Sequence, residues 1–181
     1  MNSCNALDNA YNVTSSFVES ISKKERKKYG QFFTSRKTAE FMASLFSVDY
    51  SKSQLQLLDA GAGSGLLTTA LVERLRNCDY KGDISVVCYE NDPKVLPTLV
   101  KNLENLKKVY EIRYEIRTDN YLTSQNFVSA DFFKKEAEKF DMIIGNPPYL
   151  KIAKDAPEAL AMPEVCYGAP NVYVLFWARG S

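Results

Sequence analysis

No histidine occurs among the 181 residues of this chain. That removes imidazole, and with it the Ser-His-Asp and Cys-His arrangements of nucleophilic catalysis. Four cysteines, Cys4, Cys78, Cys88 and Cys166, form no C-x-x-C pair. A zinc site therefore has almost no ligands to draw on, and reduced, mostly buried thiols are expected. No apolar run approaches the length of a membrane span. The opening residues, MNSCNALDNAYNVTSS, lack a basic start followed by an apolar block, so they do not read as a secretory signal. A cytoplasmic protein without membrane contact is the expectation.

An excess of one charge sign is missing as well. A formal net charge of +1 does not advertise nucleic-acid binding. The exception is KKERKK at 23–28, which reads either as a solvated helix face or as a phosphate contact. Carboxylates, amides, tyrosines or a cofactor must carry any chemistry. With 45% hydrophobic residues the chain has enough apolar material for one domain with a real core.

Between residues 5 and 22, Leu7, Tyr11, Thr14, Phe17, Val18 and Ile21 recur at spacings of three and four, which predicts an amphipathic helix packed on the main body. A second helix over RKTAEFMASLF places Ala39, Met42, Leu45 and Phe46 on one side, with Thr34 or Ser35 as its N-cap. From Leu55 the texture changes. LQLLDAG reads as a buried strand, GLLTTALVERLRNC as a helix and ISVVCYE as a second strand. Pro93 and Pro97 delay the next helix to about residue 97, from where it runs to about Val109. A third strand within EIRYEIRTD, a short helix around 129–139 and a fourth strand, FDMIIG, complete a β-α-β-α-β-α-β series. Such a series implies an α/β domain with a parallel sheet and right-handed crossovers. KIAKDAPEALAMPEVCYGAP reads as a long proline-bearing loop, and NVYVLFWAR as a final helix. A four-stranded sheet that stops there would leave one edge uncovered, so an incomplete domain is expected, with self-association through that edge as one outcome.

Acidic or amide side chains recur at the carboxyl ends of the four strands, at Asp59, Glu90, Asp119 and Asn146, spaced roughly one βα unit apart. In an open α/β sheet those ends line the ligand crevice. DAGAGSG, Asp59 to Gly65, follows a strand and opens a helix, so backbone N–H groups and a helix N-terminus face whatever binds there. A dinucleotide fingerprint would require glycine at position 66, where the chain has Leu66. Asp59 would repel a pyrophosphate but suits a cationic amino group. S-adenosylmethionine carries such a group, together with a carboxylate for the N–H donors. Glu90 can accept ribose hydroxyls in either ligand, and Asp119 can accept the exocyclic amine of adenine. Solvated loop carboxylates are the plainer alternative for all three acids.

FDMIIGNPPYL ends a greasy strand on an asparagine, two prolines and a tyrosine. Proline cannot donate to a sheet ladder, so the strand must stop at Gly145. Asn146 then offers a side-chain carbonyl and Pro147 a backbone carbonyl, two acceptors side by side for an amine with two hydrogens. Holding both hydrogens out of plane frees the nitrogen lone pair toward an electrophile such as a sulfonium methyl. Tyr149 offers a face for a planar substrate. An ordinary turn is the plainer alternative.

In their order, GQFFT, DAGAGSG, YENDP, NPPYLK and NVYVLF, these pieces resemble the S-adenosylmethionine-dependent DNA adenine-N6 methyltransferases of restriction-modification systems. The similar group is the Eco57I-like one with gamma-type motif order, over about residues 25–180. The resemblance implies a Rossmann-like class I methyltransferase fold with an N-terminal helical segment over 1–50 and the methyltransferase core over 51–181. It implies that Tyr29, Gly30, Gln31, Phe32, Phe33 and Thr34 cover the methionine part of the cofactor, and that Asp59, Ala60, Gly61, Gly63 and Gly65 cradle it. Glu90 would hold the ribose and Asp119 the adenine, with Asn91 and Asn120 also binding the cofactor. Asn146, also near the cofactor, would act with Pro147, Pro148 and Tyr149 on a flipped adenine. No metal is implied. Where the family often has proline after GQFFT, this chain has Ser35, a small loss of pre-organisation. The family adds further strands and a C-terminal target-recognition domain, through which double-stranded DNA would be bound and which these residues do not include. Two rivals use the same residues: methylation of a protein glutamine or an RNA amine, and a non-catalytic S-adenosylmethionine-binding module.

Overall fold

Four parallel strands in the order β3-β2-β1-β4 frame a computed structural model that describes residues 5–25, 33–124, 138–147, 151–166 and 171–180. In chain order the elements are α1 (Ala6–Ser20), α2 (Arg36–Ser44), β1 (Gln54–Ala60), α3 (Leu66–Asn77), β2 (Asp83–Tyr89), α4 (Leu96–Tyr110), β3 (Arg113–Arg117), α5 (Tyr121–Ser124) and β4 (Met142–Ile144). A short helix α6 (Pro157–Leu160), a 3-10 turn (Pro163–Val165) and α7 (Val172–Gly180) follow. The expected helix around 129–139 falls almost wholly outside the described residues, as do Arg26, Lys27 and Lys28 of the basic cluster.

Alternation along the strands divides the core. Leu55, Leu57, Ile84 and Val86 face one way and pack with residues of α1, α2, α3 and α4. Leu58, Ala60, Val87 and Tyr89 face the other way, against Tyr121 and Leu122 of α5, Met162 and the α7 residues Val172 and Leu175. Both faces of β1 are covered from Leu57 onward, where consecutive residues are buried, while Gln54 and Gln56 at its start are exposed. Asp59 lies on the first of these faces, in register between Cys88 of β2 and Ile144 of β4. That placement buries its carboxyl completely.

Local signals set most boundaries. Asn5 caps α1 by accepting from Asp8 N, and Ser35, of the two expected candidates, caps α2 by accepting from Thr38 N at 3.2 Å. Pro97 sits in the first turn of α4, where a missing N–H costs nothing. Three expectations need correction. Tyr11 and Leu45, placed on packed faces by periodicity, are 42% and 67% exposed. On α1 the buried stripe is Leu7, Ala10 and Thr14, so Tyr11 lies one position round the helix, and Leu45 is the residue that caps α2 after its last turn. The segment after NPPY is not plain loop, because Pro157 and Pro163 each start a short helical turn.

The α4 helix ends on Glu111 in the left-handed region, φ 52°, its N–H bonded to Lys107 O. A Cβ is disfavoured there by roughly 1–2 kcal/mol. Glu111→Gly is therefore expected to stabilise the protein by about 1 kcal/mol after the entropic cost of glycine, seen as a higher urea midpoint at unchanged slope.

Candidate active site at the carboxyl ends of the strands

The glycine loop is anchored from below by β2. Gly61 N and Ala62 N both donate to Tyr89 O, at 2.9 and 2.8 Å, and Gly63 N donates to Glu90 Oε2 at 2.8 Å. Gly65 N closes the turn on Ala62 O. The loop N–H groups expected to face a ligand are thus engaged within the protein at these four positions. The donors left for an anion are those of the helix start: Leu66 and Leu67, whose N–H groups precede the first helical hydrogen bond, line the adjoining cavity. Gly65 has φ +78°, and a Cβ on it would stand 2.8 Å from Leu99 Cδ1, so glycine is required there by both backbone and packing.

Three cavities lie along this edge. The first is walled by Phe33 and Thr34, by the glycine loop with Ser64, Leu66 and Leu67, and by Asn146. Phe33 is braced edge-on by Phe17 of α1, with ring centroids 6.0 Å apart. Asn146 Nδ2 donates to Thr34 Oγ1 at 3.2 Å, across 112 residues of sequence. The second cavity is lined by Gly61, Tyr89, Glu90, Asn91, Asp119, Asn120, Tyr121 and Phe176. The third lies between Ala60, Ile143, Gly145, Pro147 and Phe176. Gly61 joins the first cavity to the second, and Phe176 joins the second to the third.

Asp59 does not line these cavities. Its Oδ2 accepts from Thr68 Oγ1 at 2.7 Å, while Oδ1, equally buried, has no hydrogen-bond partner among the described residues. Burial pushes its carboxyl up to about 7; the Thr68 hydrogen bonds oppose the rise and the Glu90 charge adds to it. Burial also pushes up the Glu90 carboxyl, against hydrogen bonds from Asp92 N and Gly63 N. The Cys88 thiol beside Asp59 is pushed up by burial too and stays neutral. Glu90 spans two turns, since Oε1 takes Asp92 N at 2.8 Å while Oε2 holds Gly63.

The structure brings Phe33, Thr34, Gly61, Gly63 and Asn146 to one cavity and Glu90, Asn91, Asp119 and Asn120 to the next. Pro147 reaches the third. Tyr29, Gly30, Gln31, Phe32, Pro148 and Tyr149 lie outside the described residues. Sequence reasoning missed Phe176 and Tyr121, whose rings lie 5.3 Å apart and form one wall of the second cavity. It also missed Glu158, which accepts from Asn120 Nδ2 at 2.8 Å and ties α6 to the end of β3. NVYVLF carried the only signal for Phe176. Glu158 had none.

Comparison with known proteins fits this architecture. The family model described as Eco57I restriction-modification methylase matches residues 44–181. The type II methyltransferase M.PstI of Providencia stuartii is 33% identical over 159 residues, covering 84% of this chain and 30% of that protein. The type II methyltransferase M.BsuBI of Bacillus subtilis is 32% identical, with 86% and 31% covered. The chain thus spans less than a third of the length of either relative. A Listeria monocytogenes protein assigned to the class I S-adenosylmethionine-dependent methyltransferases superposes with a TM-score of 0.66 at 15% identity. It covers 98% of this chain and 50% of its own, and establishes the fold as the class I methyltransferase fold. With its parallel sheet, its glycine loop and a family match over 44–181, the chain belongs to the Eco57I restriction-modification methylases.

Proposed function

We propose that this chain binds S-adenosylmethionine along the carboxyl ends of the sheet and serves methyl transfer to the N6 amine of an adenine swung out of double-stranded DNA. The reaction would be the modification step of a restriction-modification system. The observation that carries this reading is that Asn146 shares one cavity with the glycine loop. The residues fit the cofactor. A buried carboxyl with an unsatisfied oxygen suits a nearby ammonium, the start of α3 suits a carboxylate, and the acids and amides of the second cavity suit ribose and adenine. When bound, the cofactor supplies an electrophilic sulfonium methyl.

The chain's own part is positioning. Asn146 Oδ1 and the Pro147 carbonyl accept the two hydrogens of the target amine and hold them out of the ring plane, which turns the nitrogen lone pair toward the methyl. The methylated amine is acidic enough to pass its proton to water, so the absence of histidine is no obstacle. Among the described residues no helix is long and apolar enough to cross a membrane.

The test is N6-methyladenine in DNA from cells expressing the full reading frame, measured by mass spectrometry against a vector control. Methylated adenine supports the DNA reading. Its absence from cells holding a folded, cofactor-binding protein moves the assignment to a protein glutamine, an RNA amine or a non-catalytic binding module.

A further inference from the structure

An asparagine amide beside a hydroxyl has two ways to bond. Its NH2 can donate to the hydroxyl oxygen, or its carbonyl can accept the hydroxyl proton. The choice decides which end of Asn146 faces the substrate. Only an outward carbonyl can accept from an amine with two hydrogens, whereas an outward NH2 would repel it.

Thr34 is placed to make that choice. Its Oγ1 lies 3.2 Å from Asn146 Nδ2, and both side chains line the first cavity. Among the described residues no protein group accepts the Thr34 hydroxyl proton. The residue is held from both sides: Phe33 rests on Phe17, and Ser35 is fixed as the cap of α2. We infer that Thr34 is the positioning residue for the Asn146 amide and that an anionic carboxylate bound in the first cavity is what sets it. This inference rests on the cofactor reading proposed above.

Thr34 has one proton. A carboxylate seated against Ser64, Leu66 and Leu67 takes that proton as a hydrogen bond, and toward Asn146 the oxygen is then an acceptor only. Nδ2 is thereby fixed on Thr34, and Oδ1 is left for the target amine. Cofactor binding therefore pre-orients the amide before the nucleophile arrives, with no backbone movement. Ordered binding, cofactor first, is the kinetic consequence.

The test uses the 181-residue chain with S-adenosylhomocysteine, which keeps the carboxylate and cannot react. The Asn146 side-chain amide pair is assigned in a 1H–15N spectrum by its loss in Asn146→Asp, while calorimetry reports binding. The expected result is a shift and sharpening of that pair on ligand addition in the parent and in Thr34→Ser, but not in Thr34→Val held at saturation. In the full-length protein at saturating cofactor, Thr34→Val is expected to lower kcat about tenfold or more, with Thr34→Ser restoring most of it. A Thr34→Val chain that binds the ligand and shows the parent's amide shift overturns the inference and leaves the cofactor reading standing. A parent that does not bind the ligand overturns both.

Discussion

Asn146→Ala is expected to lower methyl transfer by about 10² to 10³-fold, the loss typical of removing one preorganised hydrogen-bonding group from a reacting centre. The effect belongs in kcat. In the ground state the amine lone pair is delocalised and the hydrogens are weakly polarised. As the new N–C bond forms, the nitrogen becomes tetrahedral and cationic, and its hydrogens become stronger donors. A carbonyl placed for that geometry binds the transition state better than the substrate. Cofactor affinity should change little, because Asn146 borders the first cavity beside Thr34 while Phe33, the helix start and the glycine loop make up the rest. The remaining rate comes from the Pro147 carbonyl and from the bound geometry. Asn146→Asp should fall between parent and alanine variant, since it keeps an acceptor but loses the donor to Thr34. Genomic N6-methyladenine, quantified in cells expressing each full-length variant at matched protein level, reads the series. An alanine variant that methylates as well as its parent would place the chemistry elsewhere on the edge.

Much of this site is legible in the sequence, for a physical reason. Parallel strands covered on both faces must be apolar along their length, so a carboxylate or amide at the end of such a run stands out. Asp59, Glu90 and Asn146 stand out in this way, whereas Asp119 follows the charged edge strand β3 and is marked only by its spacing of about one βα unit; the sheet order puts the four strands side by side. Glycine at positive φ is equally legible, as at Gly61 and Gly65. What periodicity cannot convey is which groups are already spent. The bonds from Gly61 and Ala62 to Tyr89 O, and from Gly63 to Glu90, arise from how two strand ends meet, and nothing local in DAGAGSG encodes them. Nor does local sequence encode contacts between distant segments, such as Thr34 with Asn146 or Asn120 with Glu158. Tyr11 was misplaced because a three-four spacing admits neighbouring faces and packing by small residues such as Ala10 selects among them, and Leu45 because the spacing does not mark where α2 ends.

Asp59→Asn is expected to stabilise the free protein above neutral pH while weakening its hold on the cofactor. Asp59 is fully buried and its carboxyl is pushed up to about 7 from an ordinary 3.8, chiefly by burial. Between those values the folded chain keeps a proton that the unfolded chain releases. Stability therefore falls as pH rises through this window and levels off above about 7. The full difference amounts to about 4 kcal/mol as an order of magnitude. Asparagine is neutral throughout, so the variant lacks this share of the slope. Its urea midpoint should exceed the parent's at about pH 8 and approach it near pH 4. Glu90, raised in the same direction, contributes a slope of its own to both proteins, and because its charge adds to the rise at Asp59 the comparison reads the Asp59 share together with that coupling. Cofactor binding runs the other way. An ammonium at the turn favours the carboxylate, so binding near pH 7 should release a fraction of a proton from the parent and less from Asp59→Asn. Calorimetry in two buffers of different ionisation enthalpy measures that fraction. Equal proton release from both proteins would show that the buried carboxyl does not sense the ligand, and a parent whose stability does not fall between about pH 5 and pH 8 would show that Asp59 is ionised before any ligand binds.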